Sequence, residues 1–97
     1  MASRRQEFKA LAKWISMLRP IGKVYTFTAK GQNGRELQIQ FCGLENFRGS
    51  VSIAGAQLAC KESDFFGLMT LFDKSKISFM DVVRLKGLVK NQVERGK

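Results

Sequence analysis

The 97 residues suffice for one modest hydrophobic core, and a single Pro, nine Gly and a 44% hydrophobic fraction are the composition of a folded chain. Seventeen Lys and Arg against eight Asp and Glu leave a formal charge of +9, a balance that draws polyanions: nucleic acid first, then an anionic membrane or an acidic protein surface. Histidine is absent, which excludes His-based zinc sites, His general bases and Ser–His or Cys–His nucleophiles, and two cysteines alone cannot close a structural zinc site.

Residues 3–19, SRRQEFKALAKWISMLR, predict a helix. Ser3 with Gln6 makes a capping box and Pro20 marks the end. Phe8, Leu11, Ile15 and Leu18 form one apolar stripe, widened by Trp14 and Met17, while Arg5, Lys9 and Lys13 follow at spacing four on the other side.

KVYTFTAKGQNGRELQIQF, residues 23–41, reads as a β-hairpin. A two-residue Asn33-Gly34 turn would set Phe27 beside Gln40 and mix both faces. A three-residue loop, Gln32-Asn33-Gly34, shifts the register by one and gathers Tyr25, Phe27, Ala29, Leu37, Ile39 and Phe41 on one face. Thr26, Thr28, Lys30, Glu36, Gln38 and Gln40 then share the other. A one-residue slip exchanges every side chain between faces, so hydrophobic sorting selects the three-residue register, with Gly34 in the left-handed position.

A loop and third strand follow through GLENFRGSVSI, with Val51 and Ile53 inward. AGAQLACKES is read as a turn at Gly55 and a fourth strand from Gln57, with a helix start as the alternative. DFFGLMTLF, residues 64–72, is apolar nearly all round and predicts a short helix capped by Ser63, either buried or serving as an interface through Phe65, Phe66, Met69 and Phe72. DKSK is read as a linker turn. Ser78 with Asp81 opens a basic helix over about 79–94, striped by Val82, Leu85, Val89 and Val93, with Arg84, Lys86, Lys90 and Arg95 on its remaining faces. The fold class is α+β in a single domain, residues 1–97: N-terminal helix, antiparallel three- to four-stranded meander, short apolar helix, C-terminal basic helix.

Residues 1–23 carry a net +5 and residues 77–97 a net +3, with the middle near neutral. The excess therefore sits on the two terminal helices, where a surface serving only solubility would mix its signs. The expected nucleic-acid contacts are Arg4, Arg5, Lys9, Lys13, Lys30, Arg35, Arg48, Arg84, Lys86 and Lys90. Phe47 beside Arg48 offers a ring for a base and a cation for a phosphate. No RNP aromatic motif or helix-turn-helix signature is present, and GQNG, placed in a hairpin, lacks the Lys-Ser/Thr of a phosphate loop. Cys60, Lys61, Glu62 and Asp64 form no recognised catalytic spacing, and no cofactor or metal motif appears.

The expectation is a small non-enzymatic DNA- or RNA-binding protein working mainly through phosphate contacts, and a homodimer if the 64–72 segment outgrows the core. The alternative is a protein-interaction module, an adaptor, inhibitor or self-assembling subunit, using that segment. No apolar run approaches a membrane span, WISML is too short for a signal-peptide core, and the cytoplasm, with reduced thiols, is the default compartment; a 42–60 disulfide in a secreted domain is the minority reading.

Overall fold

A computed structural model describes residues 3–46 and 48–96. Helix α1 (Arg4–Ser16) is followed by strands β1 (Val24–Lys30), β2 (Glu36–Leu44), β3 (Arg48–Ile53) and β4 (Ala56–Lys61), then α2 (Phe65–Lys74) and α3 (Phe79–Arg95). The strands form one antiparallel sheet in the order β1-β2-β3-β4. All three helices lie on one face, with α1 between the other two and packed on β2, β3 and β4. The α+β reading, with four strands rather than three, describes the chain.

The capping box closes α1 as expected: the Gln6 amide donates to Ser3 Oγ and the Ser3 amide to Gln6 Oε1, each at 3.1 Å. Phe8, Leu11, Ile15 and Leu18 are all buried. The helix stops at Ser16, earlier than the apolar period suggests. The Met17 and Leu18 amides tighten back onto the Trp14 and Ile15 carbonyls, and Arg19, preceding Pro20, is disfavoured in helical geometry. Leu18 still reaches the core from outside the helix because Gly43 and Gly49, paired across β2 and β3, let the chain lie directly on the sheet backbone.

The β1–β2 register pairs Phe27 with Ile39 and Lys30 with Glu36, which is the three-residue loop. Gly31 donates to the Arg35 carbonyl at 2.7 Å, and both Asn33 (φ 63°) and Gly34 (φ 73°) occupy the left-handed region. Ile39, Phe41 and Ala29 are buried, and Tyr25, Phe27 and Leu37 pack against them. Ala54 and Gly55, both at positive φ, turn β3 into β4, as a two-residue primed turn requires. The fourth strand is thus a strand. Beyond the helices, the opposite sheet face is open and uncharged at its centre, where Thr26, Gln40, Ser52 and Gln57 line up across all four strands.

Asp64, not Ser63, occupies the cap position of α2, and it makes no side-chain capping bond. The helix also runs through Asp73 and Lys74, which the sequence reading assigned to a turn. It ends in a paired motif: the Lys76 amide donates to Asp73 and the Ile77 amide to Phe72, while Lys76 itself takes φ 58°. Helices commonly end this way, with glycine favoured at the left-handed position. Ile77, buried, supplies the accompanying hydrophobic contact. In α3, Ser78 caps as expected by accepting from the Asp81 amide at 3.2 Å, and Val82, Leu85, Val89 and Val93 are buried.

The two cysteines are free. Cys60 lies in the core while Cys42, in register with Val24 and Ser50, sits among the residues of the open sheet face. The 42–60 disulfide is therefore not formed. Among the described residues no helix is long and apolar enough to cross a membrane.

Candidate nucleic-acid interface

The buried stripe of α1 turns Arg5, Lys9 and Lys13 outward, and all three are exposed. None has a carboxylate within ion-pair distance among the described residues. The row is not straight with respect to its neighbours. Arg5 lies over the ring of Phe66 in α2, 5.2 Å from its centroid, whereas Lys9 borders a shallow cleft with Asn46, Lys61, Glu62 and Ser63 at the end of β4. Lys13 stands 6.0 Å from the centroid of its neighbour Trp14.

Helix α3 runs parallel to α1. Lys86 meets Glu7, Lys90 meets Trp14, and the C-terminal Gly96 comes beside Arg19. Both carbonyl ends consequently point the same way, which favours cations there. Arg19 responds directly, donating to the Ser16 and Leu18 carbonyls at 3.1 and 2.8 Å. Lys90 lies 5.8 Å from the Trp14 centroid, so one indole carries a lysine from each helix. A cation over an aromatic face contributes about 0.5–1 kcal/mol at exposed sites, and the same pieces, a ring flanked by cations, are what single-stranded nucleic acid binds.

Other expected contacts are engaged internally. Lys86 Nζ lies 2.6 Å from Glu7 Oε2 in a largely buried pair, so it is not the free cation that the sequence pattern suggested. Arg84 pairs with Asp81 (3.3 Å) and donates to the Thr28 carbonyl, placing it on the β1 flank of α3, away from Lys90. Arg4 pairs with Asp73 and covers the Phe8 ring. Lys90 also reaches Glu94 at 4.0 Å, a loose exposed pair of little strength. Lys30 and Arg48 are exposed at opposite ends of the open sheet face, and Arg35 is exposed in the hairpin turn. Phe47 lies outside the described residues. The structure thus joins Lys13 with Lys90, and leaves the two expected stripes without a common groove.

No protein-family model matches the chain, and no curated protein and no solved structure is significantly similar to it.

The expected interface residues divide. Phe65 and Phe72 are core residues, Phe72 packing edge-on against Phe8 at 5.4 Å. Phe66 is 54% exposed and Met69 partly so. Three lysines were not foreseen from the sequence. Lys23 covers the Tyr25 ring at 4.9 Å, and the Tyr25 hydroxyl donates to the Arg19 carbonyl; the i, i+2 spacing at the entry to β1 was the signal. Lys74 and Lys76 join Arg35 around one cleft, and nothing local in the sequence announces that meeting.

Lys61 and Glu62 border the cleft beside Lys9, while Cys60 is buried in the core. Burial, and then the Asp64 carboxylate, push the Cys60 thiol from 9.0 up to about 11, so at neutral pH it is a protonated, poor nucleophile. No cluster of metal-ligating side chains occurs among the described residues.

Proposed function

We infer that the protein is a small non-enzymatic nucleic-acid-binding protein of the cytoplasm, holding DNA or RNA through its phosphates with limited sequence preference. The observation that supports this reading most is the unpaired outward row Arg5, Lys9, Lys13, ending on a tryptophan that also carries Lys90. Successive members of the row are about 6 Å apart along the helix axis, near the spacing of phosphates in a strand, and a base stacking on half-buried Trp14 would take the place of one of the two lysines over its ring.

Trp14 is the sole tryptophan, so its intrinsic fluorescence reports binding without a label. Titration with single- and double-stranded DNA and RNA at several salt concentrations should show salt-dependent binding, each phosphate contact adding about 0.7–0.9 to the slope of log K against log salt. Replacing Arg5, Lys9 and Lys13 with Ala should weaken binding to every sequence and flatten that slope by about 2–3, with the circular dichroism unchanged. A triple variant that binds as the wild type does removes α1 from the site. No binding by the wild type even at low salt overturns the reading.

One observation favours a second reading, self-association or protein binding through the 64–72 segment: Phe66 stacks on buried Phe65 yet is itself more than half exposed. Sedimentation should then show a homodimer that Phe66→Ser dissociates, whereas a monomer at high concentration excludes it.

A further inference from the structure

At the turn end of the sheet, Arg35, Leu37 and Ala54 face Lys74, Ser75 and Lys76 across a cleft of about 390 Å³. The two walls are in direct contact at their base, since a Cβ at Gly31 would stand 3.2 Å from the Ser75 carbonyl oxygen. Three cations from two distant parts of the chain therefore share one concavity, and no carboxylate lines it. Asp73, the acidic residue next to Lys74 in the chain, is held by Arg4 of α1 instead. Among the described residues none of the three cations has an ion-pair partner. Lys76 also occupies a left-handed position where glycine would be the less strained residue, which puts a charge at the rim at a conformational cost.

We propose that this cleft binds the phosphate groups of a small phosphorylated ligand, a diphosphate in preference to a single phosphate. Three positive charges complement the two to three negative charges of a diphosphate, and Arg35 adds the planar fork suited to phosphate oxygens. Leu37 and Ala54 give the cleft an apolar wall against which the rest of such a ligand can lie. The site shares no residue with the α1 row or with the Trp14 cluster, and it does not depend on nucleic-acid binding.

The test is calorimetric titration of the full chain with inorganic pyrophosphate and with inorganic phosphate, paired with amide NMR shifts. Pyrophosphate should bind one to one, more tightly than phosphate, with shifts confined to residues 31–37, 54–55 and 74–77. Combining Arg35→Gln with Lys74→Gln should weaken it about tenfold or more. Lys76→Gly should also weaken it, and because that change relieves the backbone the loss cannot come from unfolding. Replacing Arg5, Lys9 and Lys13 with Gln should leave pyrophosphate affinity within about twofold, since none of the three lines the cleft and exposed charges outside it are screened in 0.15 M salt. Equal losses in the cleft and α1 variants, or shifts spread over α1, would mean that pyrophosphate senses only net charge and would overturn the site. Binding to vesicles containing phosphatidic acid but not to free pyrophosphate would overturn it as well, in favour of a lipid headgroup. Nucleic-acid binding lost in the α1 variant with pyrophosphate binding retained separates this site from the function inferred above.

Discussion

Gly43 tests how the candidate interface is held on the sheet. A Cβ there would stand 3.0 Å from the carbonyl carbon of Leu18 and closer still to its oxygen. The obstacle is backbone, so the end of α1 must lift by about 1 Å, enough to forfeit roughly half of the local dispersion contacts. Ile15 and Leu18, both fully buried, are each worth about 1.5–3 kcal/mol of burial. Losing half of that, with the strain of overpacking, outweighs the roughly 0.4–1 kcal/mol by which Ala restricts the unfolded chain. Gly43→Ala should therefore destabilise by about 2–4 kcal/mol. Gly87→Ala should do the reverse. Gly87 lies inside α3 with nothing within 4 Å of its would-be Cβ, and Ala there should stabilise by about 0.5–1 kcal/mol. Urea denaturation followed by circular dichroism measures both, and in thermal melts Gly43→Ala should lower Tm by about 10–30 °C. A Gly43→Ala protein within about 0.5 kcal/mol of wild type would refute the close approach of α1 to the sheet.

Polar substitution at Ile39, buried against β3, should cost about 2–5 kcal/mol in the same assay, whereas Gln38→Glu on the open face should change stability little. The buried Cys60 thiol gives a pH signature. Its proton is held more tightly in the folded chain (about 11) than at the ordinary 9.0 of the unfolded one, so its contribution is complete below pH 9.0 and is lost as pH rises toward 11. Denaturation midpoints of the wild type should fall across that window more steeply than those of Cys60→Ala. Equal slopes would show that the thiol does not carry the effect.

What was legible in the sequence was whatever a local period or a face could carry. The cap and stripe of α1 repeat within a few residues, and the hairpin register followed from sorting Phe27, Ile39 and Phe41 onto one side. Ends were harder. Leu18 continues the helical period while already outside the helix, because its burial comes from the glycine pair beneath it. The end of α2 was hidden because Lys76 stands in the left-handed position that a glycine would have advertised. Charge was legible as a total and misread in detail. Glu7 finds Lys86, Asp73 finds Arg4 and Asp81 finds Arg84, and the first two meetings are long-range products of packing that no spacing rule reveals. The α1 row survived because its opposite face, not a distant partner, decides where it points.

Arg84 shows what those internal pairs accomplish. Strand β1 is an edge, and an unpaired edge invites another chain to add to it. Here α3 covers part of that edge with side chains. Asp81 Oδ2 accepts from the Lys30 amide at 3.0 Å, and Arg84, paired to the same carboxylate, donates to the Thr28 carbonyl. Asp81→Ala removes a charge-assisted bond to a backbone amide, worth about 1.5–3 kcal/mol where it is shielded and less at this partly exposed position, and frees Arg84 as well. Hydrogen exchange should then speed at Lys30, while the amides shared between β2 and β3 keep their protection. Arg84→Ala should loosen the same edge yet leave nucleic-acid affinity and its salt slope unchanged, since that guanidinium is committed to the strand. Unchanged protection at Lys30 in Asp81→Ala would show that α3 does not guard the edge. A salt slope lowered by about one in Arg84→Ala would return this residue to the binding surface and extend that surface around the β1 flank.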